Sequence, residues 1–104
     1  MFGFLKGAPS ISTDELQQRL KGSLVLLDVR TPGEFQAGHI ARAKNVPLNK
    51  IDHYQQKTDV AIYVICQSGM RSKQAAQKLQ KQGYRVINVK GGMNQWRGPV
   101  RGGK

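Results

Sequence analysis

Three short apolar runs, residues 24–29, 60–65 and 85–89, punctuate the chain, each continuous rather than alternating and rich in β-branched side chains. Strands covered on both faces read this way, because neither side of the strand meets water. Helical signals lie between the runs. Ser12 and Glu15 form a capping box ahead of Leu16 and Leu20, and Gly22 supplies a stop. Thr31, Pro32 and Glu34 give a second start, with a capping hydroxyl, a proline at the first helical position and an acid in the first turn; Gly38 ends it. A weaker helical segment covers residues 49–56, after Asn45-Val46-Pro47. The longest helix is expected to begin near residues 69–72 and to end at Gly83, with Ala75, Ala76 and Leu79 facing inward. Residues 93–96 suggest one last turn.

This alternation predicts an α/β fold, an open and mainly parallel sheet with helices on both faces. With 104 residues the chain suits one domain. Its limits are expected at residues 11–97, with an N-terminal extension over 1–10 and a loose, Gly-rich basic tail over 98–104. No internal repeat or low-complexity tract is present.

Composition narrows the function. Hydrophobic residues make up 38% and charged residues 22%, which fits a globular domain. No apolar run approaches the ~20 residues a bilayer span needs, so no membrane partner is expected. The opening Met1-Phe2-Gly3-Phe4-Leu5-Lys6 has no basic stretch before its apolar residues, which argues against a secretory signal. The single cysteine rules out an intramolecular disulfide and fits a reducing compartment, most simply the cytoplasm. Charge is uneven: residues 1–59 hold 8 Lys and Arg against 6 Asp and Glu, whereas residues 60–104 hold 9 against none. Such a basic half invites an anionic partner, or serves only as a solvated face.

In open α/β sheets ligands bind beyond the carboxyl ends of the strands. The strand ends here carry Asp28-Val29-Arg30, Cys66 and Gly91-Gly92, and only Cys66 is a nucleophile. Gln67, Ser68, Gly69, Met70, Arg71 and Ser72 lead from it into the long helix. A loop that tight can turn its N–H groups toward the sulfur, the helix terminus adds partial positive charge, and Gly69 permits the backbone angles of a cradle. Arg71 adds a permanent charge with a fork of donors suited to oxyanions. Thiols in such settings fall from ~8.5 into a range of about 3.5–7.5, where the thiolate dominates at neutral pH.

The same residues carry a family resemblance. Cys66-Gln-Ser-Gly-Met-Arg-Ser resembles the active-site loop of rhodanese-type sulfurtransferases, Cys-x-x-Gly-x-Arg-Ser/Thr. Asp28-Val29-Arg30 with Glu34-Phe35, Gly38-His39-Ile40 with Asn45-Val46-Pro47, and Gly91-Gly92 with Trp96 resemble further segments of that family, in the same order. One departure is Arg42, where the family commonly has glycine. The resemblance implies a double displacement without a cofactor. Cys66 would take a sulfane sulfur from an anionic donor such as thiosulfate and hold it as a persulfide. Cyanide or a thiol, a thioredoxin-like protein among the thiols, would then accept it. In that scheme Cys66 and Arg71 are catalytic, and the backbone of Gln67, Ser68, Gly69, Met70 and Ser72 binds substrate.

Asp28 and Arg30 read as an ion pair supporting the site. His39 reads as a capping residue at a helix end, His53 as a surface residue and Trp96 as a core plug. One cysteine and two scattered histidines make no metal site. Three other readings compete. A cysteine phosphatase or arsenate reductase needs five residues between cysteine and arginine, and here only four separate Cys66 from Arg71. The second is a non-catalytic interaction or sulfur-relay module; as a bare interaction module it would not need the intact cysteine loop. Nucleic-acid binding finds no motif or interleaved aromatics to support it.

Overall fold

The structure, a computed structural model, describes residues 7–104. In chain order the elements are β1 (Ser10–Ile11), α1 (Thr13–Arg19), β2 (Val25–Asp28), α2 (Pro32–Ala37) and β3 (Lys44–Asn45). A 3-10 helix (Leu48–His53), β4 (Ala61–Ile65), α3 (Met70–Lys81), β5 (Arg85–Val89) and α4 (Gly92–Gln95) follow. All five strands are parallel, in the order β1-β5-β4-β2-β3. The three apolar runs are the three central strands, so the expected α/β architecture holds.

Both faces of the sheet are covered, which explains why the runs are continuous. Successive side chains of a strand point to opposite faces. Ile62, Val64 and Cys66 therefore join Leu27, Val29, Ala75, Ala76 and Leu79 beneath α3. Tyr63 and Ile65 face the other way, against Leu16, Leu26 and Val89. The alternation sets the position of the site: the Cys66 side chain continues the α3-facing row and emerges under the start of α3.

The starts of α1 and α2 are both capped, but the box expected at Ser12 and Glu15 forms only by half, because the Glu15 carboxylate binds Arg19. Ser12 accepts the Glu15 N–H at 3.1 Å. At α2 the capping box is reciprocal, with Glu34 N–H on Thr31 Oγ1 at 3.2 Å and Thr31 N–H on Glu34 Oε1 at 3.0 Å. The segment expected to be helical over 49–56 is instead the 3-10 helix one residue earlier, begun after Pro47.

Both chain ends differ from expectation. Of the 1–10 extension, residues 1–6 lie outside the described residues, while Pro9 and Ser10 join the sheet edge: Pro9 O accepts the Asn88 N–H at 2.8 Å. Residues 98–104, expected to be loose, fold back on the domain. Arg101 and His39 exchange backbone hydrogen bonds of 2.8 and 2.9 Å, and Gly103 N–H donates to Gln36 O at 2.8 Å. A Cβ at Gly102 would lie 3.3 Å from Gln36 O, Gly103 has a left-handed φ of +80°, and the peptide groups at the end of α2 provide the partners.

Candidate active site

Cys66 lies directly beyond β4, fully buried, at the start of a loop that ends in α3. Gly69 is the N-cap of α3, with φ +103°, a left-handed conformation that a side chain resists. In that geometry its N–H donates to Cys66 Sγ at 3.0 Å. The thiol in turn donates to Ser72 Oγ at 3.4 Å, and that hydroxyl donates to Gly69 O at 3.1 Å. A hydroxyl can rotate, so Ser72 can also donate to the sulfur once the thiol ionises.

The cradle is held open from behind by the next strand end. Met93 N–H donates to Cys66 O at 2.8 Å and Asn94 N–H to Gln67 O at 2.9 Å. Drawing these carbonyls toward α4 leaves the amides of the loop free to face the sulfur. The approach requires glycine: a Cβ on Gly92 would lie 2.3 Å from Cys66 O and 2.7 Å from Gln67 O. Gly91-Gly92 is thus part of the site as its rear wall.

The electrostatics follow from these contacts. Burial pushes the Cys66 thiol up. Hydrogen bonds from the Ser72 hydroxyl and from the backbone of Ser72, Gly69 and Ser68 act against it, and together they bring the pKa below its ordinary 9.0.

Two ion pairs flank the loop. Arg30 binds Asp28 with Nε at 3.0 Å and Nη2 at 2.8 Å, and both residues are buried. The guanidinium also donates to Gly38 O at 2.7 Å and to Gln67 Oε1 at 3.1 Å. Gln67 Nε2 donates on to Asn94 Oδ1 at 2.7 Å, so the first loop side chain is gripped at both ends of its amide. Arg71, expected to orient an anionic donor or to help close the loop, turns its fork to Glu34, with Nη1 at 2.7 Å from Oε1 and Nη2 at 2.9 Å from Oε2. The Arg71 hydrogen bonds hold the Glu34 carboxyl at about 2, well under its ordinary 4.5. Glu34 was legible as a helix-cap acid and as part of a family segment; its contact with Arg71 needs the loop and α2 to meet in space. Ser68 and Met70 are exposed at the mouth.

The remaining candidates have structural work. His39 is buried, stacks on Phe35 with ring centroids 3.6 Å apart and lies 2.7 Å through Nδ1 from Phe35 O at the end of α2. His53 is exposed. Trp96 is half-buried against the α1-side core. Arg42 binds Leu20 O and Gly22 O, closing the last turn of α1. Among the described residues no group of three or more His, Cys, Asp and Glu side chains is placed to hold a metal, and no helix is long and apolar enough to cross a membrane.

A strand-end cysteine in an amide cradle, on a doubly covered parallel sheet, defines an α/β protein with a rhodanese-type loop. The chain belongs to the rhodanese-like domain family, whose model matches residues 12–99. It is similar to the protein YqhL of Bacillus subtilis, at 42% identity over 82 residues, which cover 76% of this chain and 65% of YqhL. A second Bacillus subtilis relative, YrkF, is 38% identical over 95 residues, and the match spans 51% of its length. The chain thus spans between half and two thirds of these two relatives. A sulfurtransferase of Allochromatium vinosum is 39% identical over 93 residues, 83% of this chain and 85% of that one. Among solved structures, a rhodanese-like domain protein from Staphylococcus aureus superposes with a TM-score of 0.85 at 32% identity, over 92% of this chain and 99% of that one.

Proposed function

We propose that this domain is a sulfurtransferase that carries a sulfane sulfur as a persulfide on Cys66. The observation that supports it best is a buried Sγ held at 3.0 Å from the Gly69 N–H, at the start of α3, with its pKa lowered. In the first step the Cys66 thiolate attacks the outer sulfur of thiosulfate or a similar donor. A new S–S bond forms, the donor's S–S bond breaks, and sulfite leaves with the electron pair. In the second step cyanide or a thiolate attacks the terminal sulfur, and Cys66 leaves as the thiolate. A covalent intermediate divides one difficult transfer into two easier ones. The loop amides stabilise the anionic terminal sulfur as an oxyanion hole stabilises oxygen. Arg71 acts through Glu34, keeping the loop closed against α2 and adding positive charge beside the thiolate. A lone thiol used in this way belongs in a reducing compartment such as the cytoplasm.

Intact-mass measurement after incubation with thiosulfate tests the reading. Wild type should gain one sulfur that a reductant removes, and Cys66→Ser should gain none while keeping its circular dichroism. No mass gain in wild type, or sulfur transfer by the folded Cys66→Ser variant, would remove Cys66 from the chemistry.

A further inference from the structure

A second concave site lies on the α1 side, outside the cysteine loop. It is a groove of about 460 Å³, whose floor and walls are Leu20, Ile40, Ala41, Trp96, Pro99 and Val100. Its polar side chains are Gln17 and three cations, Lys21, Arg42 and Arg101, with no carboxylate among the lining residues. Hydrogen bonds tie the walls together. Arg42 ties the 40–43 loop to the end of α1 through Leu20 O and Gly22 O. Trp96 Nε1 donates to Pro99 O at 3.2 Å, and the His39–Arg101 backbone pair folds residues 99–101 over the edge. Val100 is left 56% exposed at the rim, one of the two large apolar residues so exposed among those described.

We propose that this groove binds a small amphiphilic anion, a free molecule with an apolar body and a single carboxylate or sulfonate head. Size argues for a small molecule: sites for such ligands run to roughly 300–1,000 Å³, are mostly apolar and carry a few converging polar groups. A stable protein interface needs over ~1,000 Å² of buried surface, more than a groove of this size offers. Charge argues for the anion, since Lys21, Arg42 and Arg101 surround an apolar floor without an opposing acid. Arg42 has a dual use here. It closes α1 through Leu20 O and Gly22 O and also lines the groove.

Trp96 is the chain's one tryptophan and lines the groove, so its emission reports occupancy directly. The full chain would be titrated with decanoate below its micelle threshold. Emission should change saturably, and decanol or propionate should each bind at least about fivefold more weakly, since one lacks the charge and the other the tail. Ala41→Phe fills the groove from an exposed position and should abolish the response. Lys21→Glu and Arg101→Glu, both on exposed side chains, should each weaken binding by about threefold or more. Three results would overturn the proposal. One is the absence of saturation, and another is equal binding of decanol. The third is a response confined to vesicles of anionic phospholipid or to the peptide acetyl-Asp-Leu-Leu-Asp-amide. Because Cys66→Ser should bind decanoate like wild type, the outcome is independent of the sulfur-transfer test.

Discussion

Two arginine–carboxylate pairs flank one loop, and they differ in almost everything except chemistry. Asp28–Arg30 is buried, comes from one strand end, and has further hydrogen bonds to Gly38 O and the Gln67 side chain. Glu34–Arg71 joins two helix starts that are remote in sequence, with side chains 35% and 34% exposed. A buried pair gains little net stability, because desolvation offsets attraction, but removing one partner leaves an uncompensated charge. An exposed pair is screened and contributes at most about 1 kcal/mol. The first pair is therefore a frame and the second a latch. The frame fixes where Gln67 sits, and the latch sets how firmly α3 stays against α2.

Substitutions can separate the two roles. Asp28→Asn should cost the most, on the order of 3–5 kcal/mol, since Arg30 stays buried without its counter-charge. Thermal or denaturant unfolding would show it, and a loss under 1 kcal/mol would mean that Arg30 escapes to solvent. Arg71→Lys keeps the charge but loses the two-pronged contact with Glu34. It should leave stability within about 1 kcal/mol and lower kcat/KM for thiosulfate roughly tenfold. Wild-type kinetics would reduce Arg71 to a surface charge.

Salt should act more gently. Residues 60–104 carry 9 positive charges and no carboxylate, and Cys66 lies among them. Raising salt shortens the Debye length from ~30 Å at 0.01 M to ~8 Å at 0.15 M, so kcat/KM for thiosulfate should fall while kcat changes little. A neutral thiol acceptor serves as the control, and equal salt response in both half-reactions would discard electrostatic steering.

Acid should have the smallest effect. Glu34 has a folded pKa of about 2 against an ordinary 4.5, so its contribution is complete above 4.5 and is lost as pH falls toward 2. The stability gap between wild type and Glu34→Gln, below about 1 kcal/mol, should therefore close over that window. A gap independent of pH would show that the latch stabilises through packing instead.

The same contrast explains what the sequence revealed. The frame was legible because Asp28 and Arg30 are two residues apart at a strand end, and Cys66 with Gly69 because strand, tight loop and helix follow in order. The latch was hidden because 37 residues separate Glu34 from Arg71 and Glu34 already had a local explanation as a cap. The edge strands β1 and β3, two residues each, carry no apolar run; their register comes from β5 and β2. The wall behind the loop was equally obscure. Gly91-Gly92 reads as a turn, and only the 2.3 Å approach to Cys66 O shows why no side chain fits at Gly92.

On the proposed persulfide, the burial of Cys66 would also bear on a matter of regiochemistry. A persulfide offers two electrophilic sulfurs, and attack on the inner one would expel hydrosulfide and leave the acceptor disulfide-linked to the protein. The inner sulfur would be Cys66 Sγ, enclosed by β4, Ser72 and the Gly69 amide, so an incoming nucleophile would meet the outer atom. A cargo held this way would be passed on rather than spilled, and thiol acceptors should leave no mixed disulfide behind.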